Sequence, residues 1–137
     1  MDYEVLLLGA AKTGKTTWLR HVVHGESPKG DYCPSSEVNV EELRLQTTLG
    51  PITLQIFDLP ANLQNRSDHY LHAQGVIYMH DLLDPRTRQA IEEYYREVRR
   101  KLGLIPSLVM SKQNAGMDQL ADLVREMTGQ SDLELVE

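Results

Sequence analysis

Residues 9–16 read Gly9-Ala10-Ala11-Lys12-Thr13-Gly14-Lys15-Thr16, and nothing else in the chain limits its fold so tightly. The run fits G-x-x-x-x-G-K-[ST], a pattern that carries information only between a strand and a helix. Both flanks are present. Tyr3 to Leu8 is a nearly continuous apolar run ending at Gly9, as in a strand buried on both faces of a parallel sheet. Thr16 to His24 carries Trp18, Leu19, Val22 and Val23 at helical spacing, with Gly25 placed to stop the helix. In that setting the glycines let the backbone wrap a phosphate, while successive N–H groups and the helix N-terminus face it. Lys15 neutralises the terminal phosphates and the Thr16 hydroxyl offers Mg²⁺ an oxygen. A nucleoside triphosphate or diphosphate is the implied ligand.

The remaining chain reads as alternating strands and helices. Glu26 to Ser36 is rich in Ser, Pro, Gly and Asp and predicts a loop. Val38, Val40, Leu43 and Leu45, then Ile52, Leu54 and Ile56, give two period-two segments around Thr48-Leu49-Gly50-Pro51, which is an antiparallel hairpin. A second loop runs from Leu59 to about Ser67, and Gly75 to His80 predicts another buried strand. Asp84 caps a helix with Pro85 at its first position and an inner stripe of Ile91, Tyr94, Tyr95, Val98 and Leu102. Ile105 to Met110 predicts a third buried strand, Met117 to Met127 an amphipathic helix, and Leu133 to Val136 a last strand. This order implies a mainly parallel sheet with one antiparallel edge strand and helices on both faces. Ligands of such sheets bind beyond the carboxyl ends of the strands, where the loops after Leu8, Asp58, Asp81 and Met110 meet.

A chain of 137 residues suits one domain, 1–137, with one sizeable core. Its net charge of −6 argues against a nucleic-acid or anionic-membrane surface, so an anion must be held by a local site. No apolar run approaches a membrane span, and the start lacks a basic signal-peptide region. With Cys33 the single cysteine, an intramolecular disulfide is excluded and a soluble, cytoplasmic or nuclear protein is expected. The histidines His21, His24, His69, His72 and His80 show no zinc-type spacing. Arg88, Arg96, Arg99 and Arg100 lie away from the apolar stripe of their helix and predict a solvated face, open to an acidic partner.

Asp58 ends the third strand after Ile56 and Phe57, where its carboxylate lies at the sheet edge to hold Mg²⁺ through water or to cap the loop. Ser35 or Ser36 offers a hydroxyl that closes over a γ-phosphate and metal, or is a loop residue only. The phosphate loop, the hairpin ending in Ile56-Phe57-Asp58 and the strand–Asp81–helix segment resemble the Ras superfamily of small GTPases. The stretches Thr13-Gly14-Lys15-Thr16-Thr17, Arg20-His21, Gly25-Glu26, Gly50-Pro51-Ile52, Tyr70 and Ala73-Gln74 look closest to the Ran branch. The resemblance implies a P-loop NTPase fold and a guanine nucleotide, GTP or GDP, with Mg²⁺. It assigns nucleotide contacts to Ala11, Lys12, Thr13, Gly14, Lys15, Thr16, Thr17, Ala61, Lys112 and Asn114, and metal contacts to Thr16, Ser35 and Asp58. Against the family pattern the chain reads as truncated or minimal, without the last base-contacting loop, last helix and acidic tail.

The departures fall on catalysis and base reading. The family's Asp-x-x-Gly-Gln reads Asp58-Leu59-Pro60-Ala61-Asn62, so a glycine becomes Ala61 and the water-orienting glutamine becomes Asn62, the one catalytic candidate. Ala11 stands where the phosphate loop has a glycine. The family's Asn-Lys-x-Asp resembles Ser111-Lys112-Gln113-Asn114, in which an amide with one acceptor oxygen replaces the aspartate that accepts two guanine N–H groups. The expectation is a Ran-like switch with very slow GTP hydrolysis that presents switch I, the segment that carries Ser35, and the second strand to an effector or transport-type protein. Two other readings stand beside it: a pseudo-GTPase scaffold or decoy holding little nucleotide, and, less favoured for want of an arginine-rich lid, a small P-loop kinase.

Overall fold

The computed structural model describes residues 1–25 and 38–136. The loop read from Glu26 to Ser36, and with it Ser35 and Cys33, lies outside the described residues. The elements are β1 (Asp2–Leu8), α1 (Lys15–His24), β2 (Asn39–Thr47), β3 (Gly50–Asp58), β4 (Gly75–His80), α2 (Pro85–Leu102), β5 (Ser107–Ser111) and α3 (Met117–Thr128). They form a five-stranded sheet in the order β2-β3-β1-β4-β5. The β2–β3 hairpin is antiparallel and all other neighbours are parallel, as the alternation of elements predicts.

Local chemistry explains most of these elements. Every residue of β4 is buried, the signature of a strand covered on both faces. In β2 only Leu43, Leu45 and Thr47 are buried, alternating with exposed partners. Gly50 opens β3 at a φ of 106°, a left-handed conformation that lets the chain reverse. At the start of α2 the Asp84 carboxylate accepts from the Arg86 N–H at 3.1 Å and Pro85 fills the first helical position.

The sheet divides the core. Trp18 and Leu19 of α1 and Leu120, Leu123 and Val124 of α3 pack with Val5, Leu7, Ile77 and Met79 on one face. On the other, Ile91, Tyr94 and Val98 of α2 cover Leu6, Leu8, Val76 and Tyr78. Truncating a fully buried leucine such as Leu7 to alanine is worth about 2–5 kcal/mol.

Three expectations are corrected. The strand read from Ile105 to Met110 begins at Ser107, and its Val109 is 42% exposed, because β5 is an edge strand with no described strand beyond it. For the same reason Tyr95 lies on the rim, not in the inner stripe, at 42% exposure and 6.4 Å from the Tyr78 ring. Leu133 to Val136 is not a strand. It makes one bridge, Leu135 to Thr47, with Thr48 N–H donating to Glu134 O at 2.9 Å, while Leu133 anchors the tail by burying its side chain. The loop after Leu59 also contains a short 3-10 turn, Arg66–His69.

Candidate nucleotide site

The parallel strands deliver their carboxyl ends to one edge, and the loops leaving that edge touch. Lys15, at the first turn of α1, is buried, and its Nζ donates to Gly9 O at 2.8 Å and to Ala10 O at 3.3 Å. Those contacts fold the loop around the ammonium. Gly14 caps the helix at a φ of 85°, and Trp18 N–H donates to Gly14 O at 2.8 Å. Gly9 has no room for a side chain: a Cβ there would stand 2.5 Å from Met79 O of β4. Lys12 also holds a positive φ, 65°, and Thr13 is buried with its hydroxyl donating to Ala10 O at 2.8 Å.

Two of the residues expected to hold a metal, Thr16 and Asp58, meet at this edge. Asp58, buried at the end of β3, accepts at Oδ2 from the Thr16 hydroxyl at 2.7 Å. Burial pushes the Asp58 carboxyl above its usual range, opposed by the Thr16 hydrogen bond and by the charges of Lys15 and Arg20. Burial pulls the Lys15 ammonium below its usual range, opposed by Asp58. Burial disfavours the charged form of both groups, a cost that a phosphate and a cation would relieve. Thr16 and Asp58 are hard oxygen donors side by side, the donor type that Mg²⁺ takes. No group of three or more His, Cys, Asp or Glu able to hold a metal exists among the described residues.

Ser111-Lys112-Gln113-Asn114, the stretch read as the base-side motif, follows directly from the end of β5. The Lys112 stem lies against the phosphate loop, with its Cγ 3.3 Å from where a Cβ on Gly14 would be. Ser111 is buried, and Asn114 N–H donates to Ser111 O at 3.0 Å, which closes the turn and leaves the Asn114 side chain exposed. Gln113 Nε2 donates to Asp81 Oδ1 at 2.7 Å, tying this turn to the loop after β4.

The structure therefore brings Thr13, Gly14, Lys15, Thr16, Asp58 and Lys112 together. Ala11, Lys12, Thr17 and Asn62 are exposed and Ala61 is half-buried. Asn62 sits in a turn in which Leu63 N–H donates to Pro60 O at 3.1 Å. Ser35 falls outside the described residues.

Sequence reasoning missed a brace behind the segment that carries Asn62. Arg66 donates to both Glu97 oxygens at 3.1 and 3.0 Å and lies 4.6 Å over the Tyr94 ring; Tyr70 OH donates to the same carboxylate at 2.7 Å. The Tyr94 hydroxyl in turn donates to Gly9 O at 3.5 Å, the carbonyl that Lys15 uses. Arg66 and Glu97 are 31 positions apart, and no local pattern joins them.

No described helix is long and apolar enough to cross a membrane. The ADP-ribosylation factor family model matches residues 1–130. The match reaches the superfamily that the motifs point to but names a different branch from Ran. On the strength of that match and of the mainly parallel sheet with its phosphate loop, the chain belongs to the ADP-ribosylation factor family of small GTPases.

Proposed function

We propose that this chain is a nucleotide switch that binds Mg-GTP and Mg-GDP, hydrolyses GTP very slowly, and changes its loops to engage a partner protein. One contrast carries the reading: Lys15 and Asp58 are buried, Lys15 bonded to the loop carbonyls and Asp58 to Thr16, while Asn62, the group that would act on water, is altered and exposed. The family makes GTP binding the ground expectation. Lys15 and the N–H groups of residues 11–17 hold the phosphates, Lys112 packs along the base side, and Ala61 borders the γ-phosphate. Thr16 and Asp58, with Ser35, would hold Mg²⁺, which when bound offsets the charge of the phosphates.

These contacts act on the ground state and lend affinity without acceleration. Asn62 is one methylene shorter than glutamine, so its amide falls about 1 Å short of a water in line with phosphorus, a misplacement that costs roughly a hundredfold. Ala11 and Ala61 add methyl groups beside it. An effector or transport-type protein engaging switch I and β2 fits an exposed edge strand.

Asn114 favours a second reading, a scaffold or decoy with little nucleotide, because it lacks the paired acceptors of aspartate. Nucleotide content of the purified protein, read by chromatography after denaturation, separates the two. Stoichiometric GTP or GDP with slow single-turnover hydrolysis is expected; a nucleotide-free protein that takes up no GTP would favour the scaffold, and hydrolysis at the rate of an ordinary small GTPase would sink the slow-switch reading.

A further inference from the structure

β5 ends the sheet: it pairs with β4 on one side, and no described strand pairs with the other. Val76 N–H donates to Pro106 O, and Lys112 N–H donates to His80 O. In a parallel pair alternate residues bond to the same neighbour, so Ser107 and Val109 turn their N–H and C=O groups outward. Such an edge is a template for another strand unless charge or proline blunts it. Ser107, Leu108 and Val109 carry neither.

The side chains of Ser107 and Val109 stand on the α2 face, in register with Val76 and Tyr78. Beside them runs a shallow groove lined by Tyr78, Tyr95, Arg99, Leu104 and Ser107. Of its lining, Leu104 is 74% and Tyr95 42% exposed, and Val109, opposite Tyr78 on β5, is 42% exposed.

One basic residue, Arg99, lines the groove, and Arg100 and Lys101 share the last turn of α2 with it, one turn beyond Arg96. Arg96 meets Glu92 at 3.8 Å. Glu97, the acid within this run, is turned to Arg66 and Tyr70 instead. Arg99, Arg100 and Lys101 have no ion pair among the described residues. A concentration of positive charge on a chain of net charge −6 selects an acidic occupant.

We propose that the outer edge of β5 docks an acidic, extended segment of a partner protein. The segment adds as a strand, setting an apolar side chain over Tyr95, Leu104 and Val109 and, two residues away, a carboxylate on Arg99. The spacing follows from the strand: Ser107 and Val109 share the α2 face, and Arg99 lines the groove with Ser107. A second copy fits less well, because pairing β5 with β5 brings two basic rims together. The site lies away from the phosphate loop and does not depend on nucleotide.

The test is fluorescence anisotropy with the full chain and a labelled peptide of core Thr-Val-Thr-Glu-Thr. Binding should weaken about tenfold for Arg99→Glu, or for the peptide with Lys in place of Glu, and recover when the two changes are combined. N-methylation of alternate peptide amides and Val109→Lys should each abolish binding, and adding Mg-GTP or Mg-GDP should leave it unchanged. No binding, binding indifferent to Arg99→Glu and to N-methylation, or a dimer in sedimentation that Val109→Lys dissolves would each overturn the proposal.

Discussion

The two ends of the nucleotide site are built differently. At the phosphate end Lys15, Thr13 and Asp58 are buried and their polar atoms are bonded to one another's loops. At the water and base end Asn62 and Asn114 project from exposed turns. The phosphate end is continuous with the core, since Gly9 lies against β4 and Thr16 against β3. A change there is felt by the whole fold. Asn62 and Asn114, the positions proposed for catalysis and base reading, are exposed, so substitutions there should have little effect on stability. Binding and catalysis can therefore separate in one small protein.

The sharpest way to break this comparison is Lys15→Ala. It should lower GTP affinity roughly a hundredfold or more in a binding titration, because a charge-assisted donor to the terminal phosphates is lost. Unchanged affinity would mean that the phosphate end is not the binding end. Next comes Gly9→Ala, whose methyl group would stand 2.5 Å from Met79 O. A backbone oxygen cannot yield cheaply, so we expect a loss of about 2 kcal/mol or more in denaturant unfolding, against about 0.5 kcal/mol or less for Asn62→Ala and Asn114→Ala. Similar losses at all three positions would erase the distinction between the ends.

A smaller effect should sharpen it. The triple reversion Ala11→Gly, Ala61→Gly, Asn62→Gln should raise single-turnover GTP hydrolysis about tenfold or more, while Asn62→Gln alone should do little because the three changes share one site. A triple variant no faster than the parent would locate the defect elsewhere. Asn114→Asp should shift the preference for GTP over XTP about tenfold toward GTP, as a second acceptor is restored to the base loop; a parent already strongly selective for GTP would contradict this.

The mildest expectation concerns pH. With the Lys15 pKa lowered from 10.5, the empty protein loses that proton sooner than an ordinary lysine, and phosphate must recruit it back. Affinity for Mg-GTP should therefore fall as pH rises, starting below 10.5. With the Asp58 pKa raised from 3.8, the cation must displace a proton at acid pH, so affinity should fall on acidification from a point above 3.8. Asp58→Asn should remove the acid limb. A profile flat on the acid side would mean that Asp58 is not at the metal.

How much of this was legible beforehand depended on how local each feature is. The phosphate loop announces itself because its chemistry sits within residues 9–16, and a strand before it and a helix after it are readable from periodicity. The α2 cap and the hairpin are local in the same sense. The family branch was not separable, since the stretches taken to mark it, such as Arg20-His21 and Gly50-Pro51-Ile52, are two or three residues long, too short to tell one branch of small GTPases from another. The brace through Arg66, Tyr70, Tyr94 and Glu97 was invisible, because its members come from two elements that only packing brings together.

By itself, the sequence determined the phosphate-loop pattern at residues 9–16, the alternation of strands and helices up to α3 and the departures from the family motifs at residues 61, 62 and 114. Each is a property of residue type and short-range spacing. Only the tertiary structure decided that α1 and α3 share one face with α2 on the other, that Asp58 meets Thr16, and that Lys112 packs on the phosphate loop. It also decided that Val109 faces solvent and that the tail from Leu133 forms one bridge instead of a strand. Hydrophobicity marks Val109 and Leu135 as candidates for burial, but whether a neighbour exists to cover or pair with them is settled by the position of their elements in the sheet, and that is set by contacts between distant parts of the chain.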